Sequence, residues 1–321
     1  MAELFPDIEP YDQGMLDTGD GNQLYWECCG NPDGIPALVL HGGPGSGCST
    51  GARRYFDPAA YRIILFDQRN CGRSLPNAAE HDCDLSSTSN TTWHLVADIE
   101  RLRSHLAVDR FVLFGNSWGT TLALAYAQAH PRHVAAMVLA GITTTRREEI
   151  DWLCTGMARF FPREYADFTQ SIPAGLAPLA HYHRLLNGAD AAERQNAAIA
   201  WHRWEAASIL LADPNGLPRR WADVRYLLAR ARIVTHYFYH AAWLADHQLL
   251  RGADILVGMP GILIQGRFDL EAPLVTAWEL HQSWPGSELV IVENAAHSTA
   301  NAGISAEIVA ATAKILHFLE K

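Results

Sequence analysis

Residues 111–127 read FVLFGNSWGTTLALAYA: an apolar run of strand type, then Gly115-Asn116-Ser117-Trp118-Gly119, then at once a helical pattern. A strand that turns directly into a helix around G-x-S-x-G is a nucleophile elbow. The turn is so tight that a Cβ at position 115 or 119 would collide with neighbouring backbone, and glycine meets that need. Ser117 is thereby held at the strand tip with its Oγ exposed. It also opens a helix, whose N-terminal partial positive charge favours developing negative charge.

Outward from this stretch, short apolar runs recur at 37–40, 62–66, 134–140, 261–265 and 288–292, and residues 22–29 alternate like an early strand. Helical patterns occupy 91–106 and 118–129. Continuous apolar strands alternating with helices predict an α/β fold with a mostly parallel central sheet covered on both faces. Residues 143–256 break this rhythm. They are rich in Trp, Arg and Ala and read helical throughout, and the β/α pattern resumes at Gly261. The expected organisation is a catalytic domain formed by 1–142 and 257–321, carrying an all-helical cap subdomain over 143–256.

Apolar residues make up 49% of the 321-residue chain and charged residues 19%, which supports a large core and little disorder. A net charge of −10 argues against nucleic-acid binding, which needs a basic face, and against adhesion to anionic membranes. The segment MAELFPDIEPYDQG has no basic n-region and no apolar h-region, and no apolar run approaches bilayer length. A soluble, cytoplasmic protein is the expectation. The six cysteines include no CxxC pair and no His partner at zinc-finger spacing, so free buried thiols are expected. The composition leaves the oligomeric state open.

A serine hydroxyl needs a base to take its proton, and the base needs an orienting carboxylate. After an elbow of this kind the chain order is Ser, acid, His. The strand at 261–265 leads into Asp269, and the strand at 288–292 leads into His297, both following strand C-terminal ends as Ser117 does. His236, His240 and His247 fall instead in the helical stretch. The strand at 37–40 ends in His41-Gly42-Gly43-Pro44-Gly45. Such a loop supplies one oxyanion-hole N–H and the residue after the nucleophile supplies the other, here Gly43 and Trp118. A dinucleotide-binding turn is the rival reading, with Asp67 at the ribose-binding position. No start from Gly42 to Gly47 yields G-x-G-x-x-G, however, and Pro44 blocks an immediate helix. His41 reads as a structural hydrogen-bonder.

These segments resemble the proline iminopeptidases of the α/β-hydrolase superfamily over nearly the whole chain. The carrying motifs are HGGPG at 41–45, DQRNCGRS at 67–74, NTTWHLVADIERLR at 90–103, GNSWGTTLALAYA at 115–127, GRFDLEAP at 266–273 and AAHS at 295–298. WHRWE at 201–205 and ARIVTHYF at 231–238 match the family's cap. The resemblance implies a Ser117–Asp269–His297 triad with no metal and no cofactor. It also implies that Glu205, with Trp204 and Gly42 as further substrate contacts, helps hold the substrate's ammonium group. The chain departs from the pattern at Val234, where the family has a second glutamate, and at Leu139–Thr143, where it has an arginine and an aromatic. Leu153 replaces an aromatic, Asn70 and Asn116 replace glycines, and Ala272 replaces a cysteine.

The expected reaction is cleavage of small amides or esters through an acyl-enzyme. Two substrate classes stay open. Release of an N-terminal residue from short peptides is favoured by Glu205. A divergent esterase or amidase that needs no free amine is favoured by Val234. An idle small-molecule binder would be expected to have lost triad residues, and none is lost.

Overall fold

The computed structural model describes residues 3–80, 82–85, 89–212 and 216–320. Eight strands form one sheet: β1 (Asp12–Asp17), β2 (Gln23–Gly30), β3 (Ile35–Leu40), β4 (Tyr61–Phe66), β5 (Phe111–Asn116), β6 (Val134–Ala140), β7 (Gly261–Gly266) and β8 (Ser287–Val292). Their order is β1-β2-β4-β3-β5-β6-β7-β8. β2 runs antiparallel to both neighbours, and the other pairs are parallel. The order reverses between β3 and β5. Crevices outside the carboxyl ends of strands at such a reversal are where open α/β sheets place their ligands.

Side-chain alternation explains the continuous apolar runs. In β5, Phe111 and Leu113 join a core on one face, while Val112 and Phe114 join a second core on the other. In β4, Ile64 and Phe66 divide from Ile63 and Leu65 in the same way. Helices α1 (Thr92–His105) and α2 (Trp118–Ala129) cover the first face.

Between β6 and β7 the described chain is helical and contributes no strand. It holds α3 (Arg147–Cys154), α4 (Pro162–Thr169), α5 (Pro178–Leu186), α6 (Ala191–Ala212), α7 (Val224–Tyr239) and α8 (Gln248–Arg251), with short 3-10 turns. These helices bury a third apolar cluster of their own, centred on Met157, Phe168, Tyr182, Trp201, Trp204 and Val234. The chain then closes with α9 (Leu274–Ser283) and α10 (Ala302–Leu319).

Two elements differ from the sequence expectation. β1 is an added edge strand whose side chains are mostly exposed, so it lacks an apolar signature. By length and composition α10 is apolar enough to cross a membrane, which no run was credited with. Its buried residues, Ile304, Ile308, Val309 and Ile315 among them, pack on the second core. The hydroxyl of Tyr61 donates to the Thr312 carbonyl at 2.7 Å.

Candidate active site

The elbow follows from close backbone approach. A Cβ on Gly115 would lie 2.4 Å from the Gly119 carbonyl oxygen, and one on Gly119 would lie 2.0 Å from that of Leu40. Ser117 itself adopts φ 54°, ψ −127°, a conformation that non-glycine residues avoid unless their surroundings enforce it. Its N–H donates to the Ala140 carbonyl at 3.0 Å, and its own carbonyl accepts from the Thr120 amide at 2.8 Å. The strain is thus held by β6 on one side and α2 on the other.

The structure brings Ser117, Gly43, Trp118, Trp204, Glu205 and His297 to the wall of one cavity. Gly42 lines the adjoining cleft, which also reaches Ser117 and His297. Asp269 lies behind His297 and is buried. Its Oδ2 is 2.8 Å from His297 Nδ1. The amide of Gln265 donates to the same oxygen at 2.8 Å, and the Glu271 and Ala272 backbone N–H groups donate to Oδ1 at 3.0 and 2.8 Å. A carboxylate held by four donors fixes the imidazole's orientation and tautomer. Burial works to lower the basicity of His297, but Asp269 and then Glu271 outweigh it and hold the ring's pKa at about 9.

No hydrogen bond takes up the backbone N–H of Gly43 or of Trp118 among the described residues. The loops around them are braced from below. His41 Nδ1 faces the Gly42 carbonyl at 3.0 Å, and its Nε2 accepts from the Gln68 amide at 3.1 Å. Gln68 receives the Trp118 indole N–H at 3.0 Å and donates to the His41 carbonyl at 3.0 Å. His41 is therefore a buried structural residue, and burial pushes it down to about 4. Asp67 is equally internal: it accepts from the Cys48 amide and from Arg73 Nε at 2.6 and 2.9 Å. From the helical layer, Arg220 donates to the Ser46 carbonyl at 2.8 Å and Arg230 to the Ser46 hydroxyl at 3.3 Å.

The substrate-facing side departs from expectation. Glu205 lines the cavity, but its carboxylate is paired with the guanidinium of Arg230. The lone, cation-seeking carboxylate implied by the family pattern is thus already matched. Val234 is fully buried in the helical cluster. Thr143 donates to Glu149 at 3.0 Å, so the missing ring is replaced by a polar tie. Residue-by-residue reading missed Glu271, which lines the cavity with its Oε2 3.8 Å from His297 Nε2. Its signal was a second acid two positions after Asp269.

All six thiols are free. Among the described residues, one group could hold a metal: His183, His236 and His240, with ligand atoms within 4.8 Å of one another. Packing accounts for these rings. His236 Nε2 meets the Asn90 carbonyl at 2.9 Å, His183 stacks flat on Tyr239, and His240 stacks on Trp243. None of the three lines the Ser117 cavity.

Residues 36–300 match the family model described as alpha/beta hydrolase fold. The chain is 49% identical over 319 residues to a probable proline iminopeptidase of Streptomyces coelicolor, covering 97% of each chain. It is 44% identical over 302 residues to the proline iminopeptidase of Xylella fastidiosa, covering 93% of this chain and 94% of that one. Among solved structures, the proline iminopeptidase of Mycobacterium smegmatis superposes with a TM-score of 0.67 at 19% identity, covering 96% of this chain and 98% of that one. VinJ superposes with a TM-score of 0.69 at 18% identity, covering 97% and 100%. At such identities the structural likeness speaks to the fold. The sequence relatives go further, and the chain belongs to the proline iminopeptidase family of the α/β hydrolases.

Proposed function

We propose that this protein is a serine aminopeptidase that releases an N-terminal residue, proline foremost, from short peptides. The observation that carries the reading is the strained Ser117 facing a cavity shared with His297, itself backed by Asp269 at 2.8 Å. Ser117 Oγ attacks the scissile carbonyl while His297 takes its proton. His297 then passes that proton to the departing amine, leaving an acyl-enzyme that water hydrolyses by the same route reversed. Asp269 stabilises the imidazolium formed on the way. The free N–H groups of Gly43 and Trp118 receive the oxyanion, a contribution worth several kcal/mol in the transition state, about 3 per donor. The helices between β6 and β7 act as a cap that closes the site from above. The reaction needs no cofactor and no metal, and the protein works in the cytoplasm.

A second reading, an esterase or amidase indifferent to a free amine, draws on one observation: Glu205 is already paired with Arg230. One measurement tests the mechanism both readings share, and a second separates them. Ser117→Ala should abolish hydrolysis, and a fluorophosphonate should label the wild-type serine alone; full activity in the variant would refute the mechanism. Proline p-nitroanilide should be cleaved far faster than its N-acetyl derivative, and equal rates would favour the second reading.

A further inference from the structure

Three carboxylates line the Ser117 cavity: Glu149, Glu205 and Glu271. The first is fully matched. Glu149 accepts from the Thr144 and Arg146 amides at 2.9 and 3.0 Å and from the Thr276 hydroxyl at 2.7 Å, and it is paired with the Arg146 guanidinium. The second, Glu205, is paired with Arg230. Arg230 is buried and also donates to Ser46; burial works to lower its pKa, but Glu205, with Tyr226 and Glu271 adding smaller shares, outweighs it.

Glu271 stands apart. Its Oε1 accepts a single hydrogen bond, from the Ser208 hydroxyl at 3.1 Å. Its Oε2 faces His297 Nε2 at 3.8 Å, beyond hydrogen-bond reach. No arginine or lysine forms an ion pair with it among the described residues. Burial, the largest influence, raises its carboxyl above the usual range, with Asp269 and Glu205 adding to the rise and His297 opposing it. In the empty site its nearest cation is the protonated His297 ring, a partner that must give up its proton before it can act as a base, so an arriving ammonium can take over that role.

The position suits a particular cation. The ammonium nitrogen of an N-terminal residue lies two bonds, about 2.5 Å, from the carbonyl carbon that Ser117 attacks. The group that receives it must therefore line the Ser117 cavity next to the catalytic ring. We propose that Glu271, steered by Ser208, is the carboxylate that binds the substrate's free α-ammonium, and that the Arg230–Glu205 pair forms a neutral wall beside it. The inference rests on the aminopeptidase reading above and deepens it: the cationic amine of an N-terminal residue is what distinguishes the substrate.

A consequence links recognition to chemistry. Glu271, Asp269 and Arg230 are the charged groups facing His297. Glu271 helps keep a proton on that ring while the site is empty. An ammonium seated on Glu271 cancels this charge, and His297 is released to act as a base. The substrate thus unlocks the base that will serve it.

The test compares proline p-nitroanilide with N-acetylproline p-nitroanilide in wild type, Glu271→Gln and Glu205→Gln. The ratio of the two kcat/KM values should fall by about tenfold or more in Glu271→Gln and by much less in Glu205→Gln. The acid limb of fluorophosphonate labelling, which reports His297 in the free enzyme and proves the variant folded, should move to lower pH in Glu271→Gln. Glu271→Ser replaces it, with the same expected fall, if the glutamine variant does not fold. A wild-type preference for the free amine that survives both substitutions overturns the subsite and leaves the aminopeptidase reading standing. A wild type that hydrolyses both substrates alike removes the two together. An unmoved acid limb overturns the placement of Glu271 against His297.

Discussion

Asp269 divides its two oxygens between different tasks. Oδ2 holds His297, and Oδ1 is anchored to the backbone two and three residues ahead. Replacing it by asparagine keeps the shape but presents an N–H where the ring needs an acceptor, which selects the wrong tautomer. Asp269→Asn should lower kcat on the order of ten-thousand-fold with little change in thermal stability, measurable by initial rates beside a melting curve. A loss below tenfold would mean that Asp269 does not set the tautomer. The strand-end placement of Ser117, Asp269 and His297 was readable from the chain because strand ends are marked by local pattern. Glu271 was not readable in the same way. Its meaning depends on which other carboxylates are neutralised: Glu149 meets Arg146 locally, three residues apart at the start of α3, but Glu205 meets Arg230 only through the packing of α6 on α7.

At the scale of elements, the loop after β4 is fastened to α1 by Arg69. This fully buried guanidinium meets both oxygens of buried Asp98, at 2.5 and 2.8 Å, and also reaches Asp20 at 2.7 Å. Removing one partner of a buried pair leaves the other charge stranded. Arg69→Ala should therefore cost about 3–5 kcal/mol in urea unfolding. A loss under about 1 kcal/mol would show that the pair is not what docks α1. The apolar strands and amphipathic helices were legible because their burial is written into their period. β1 was not. Its residues, DQGMLD, are polar and largely exposed, and only pairing with β2 makes them a strand. The Glu205–Arg230 pairing was hidden for a similar reason, since helices α6 and α7 meet through residues far apart in the chain.

The whole molecule carries a pH signature. Burial pushes His41, His183, His202 and His236 each down to about 4. Between that value and about 6.5, the unfolded chain binds protons that the folded one refuses, so stability rises with pH across this window. The contribution is complete above about 6.5 and lost as pH falls through about 4. His297 acts in the opposite sense. Its proton stabilises the folded state fully below about 6.5, and that share is lost as pH rises through about 9. Stability should therefore peak close to neutrality and fall steeply on acidification, as followed by the urea midpoint from pH 4 to 9. An acid limb that is flat from pH 6.5 to 4 would contradict the buried neutral rings.

Ser46 gives the molecule a mechanical property. It follows the Gly43 turn, yet both of its oxygens are gripped from the helical layer, the carbonyl by Arg220 and the hydroxyl by Arg230. Lifting that layer to admit a ligand would pull on the strap that sets the Gly43 amide. In the proposed mechanism that amide receives the oxyanion, so Arg220 and Arg230 tie the position of the helical layer to the geometry of the nucleophile's surroundings.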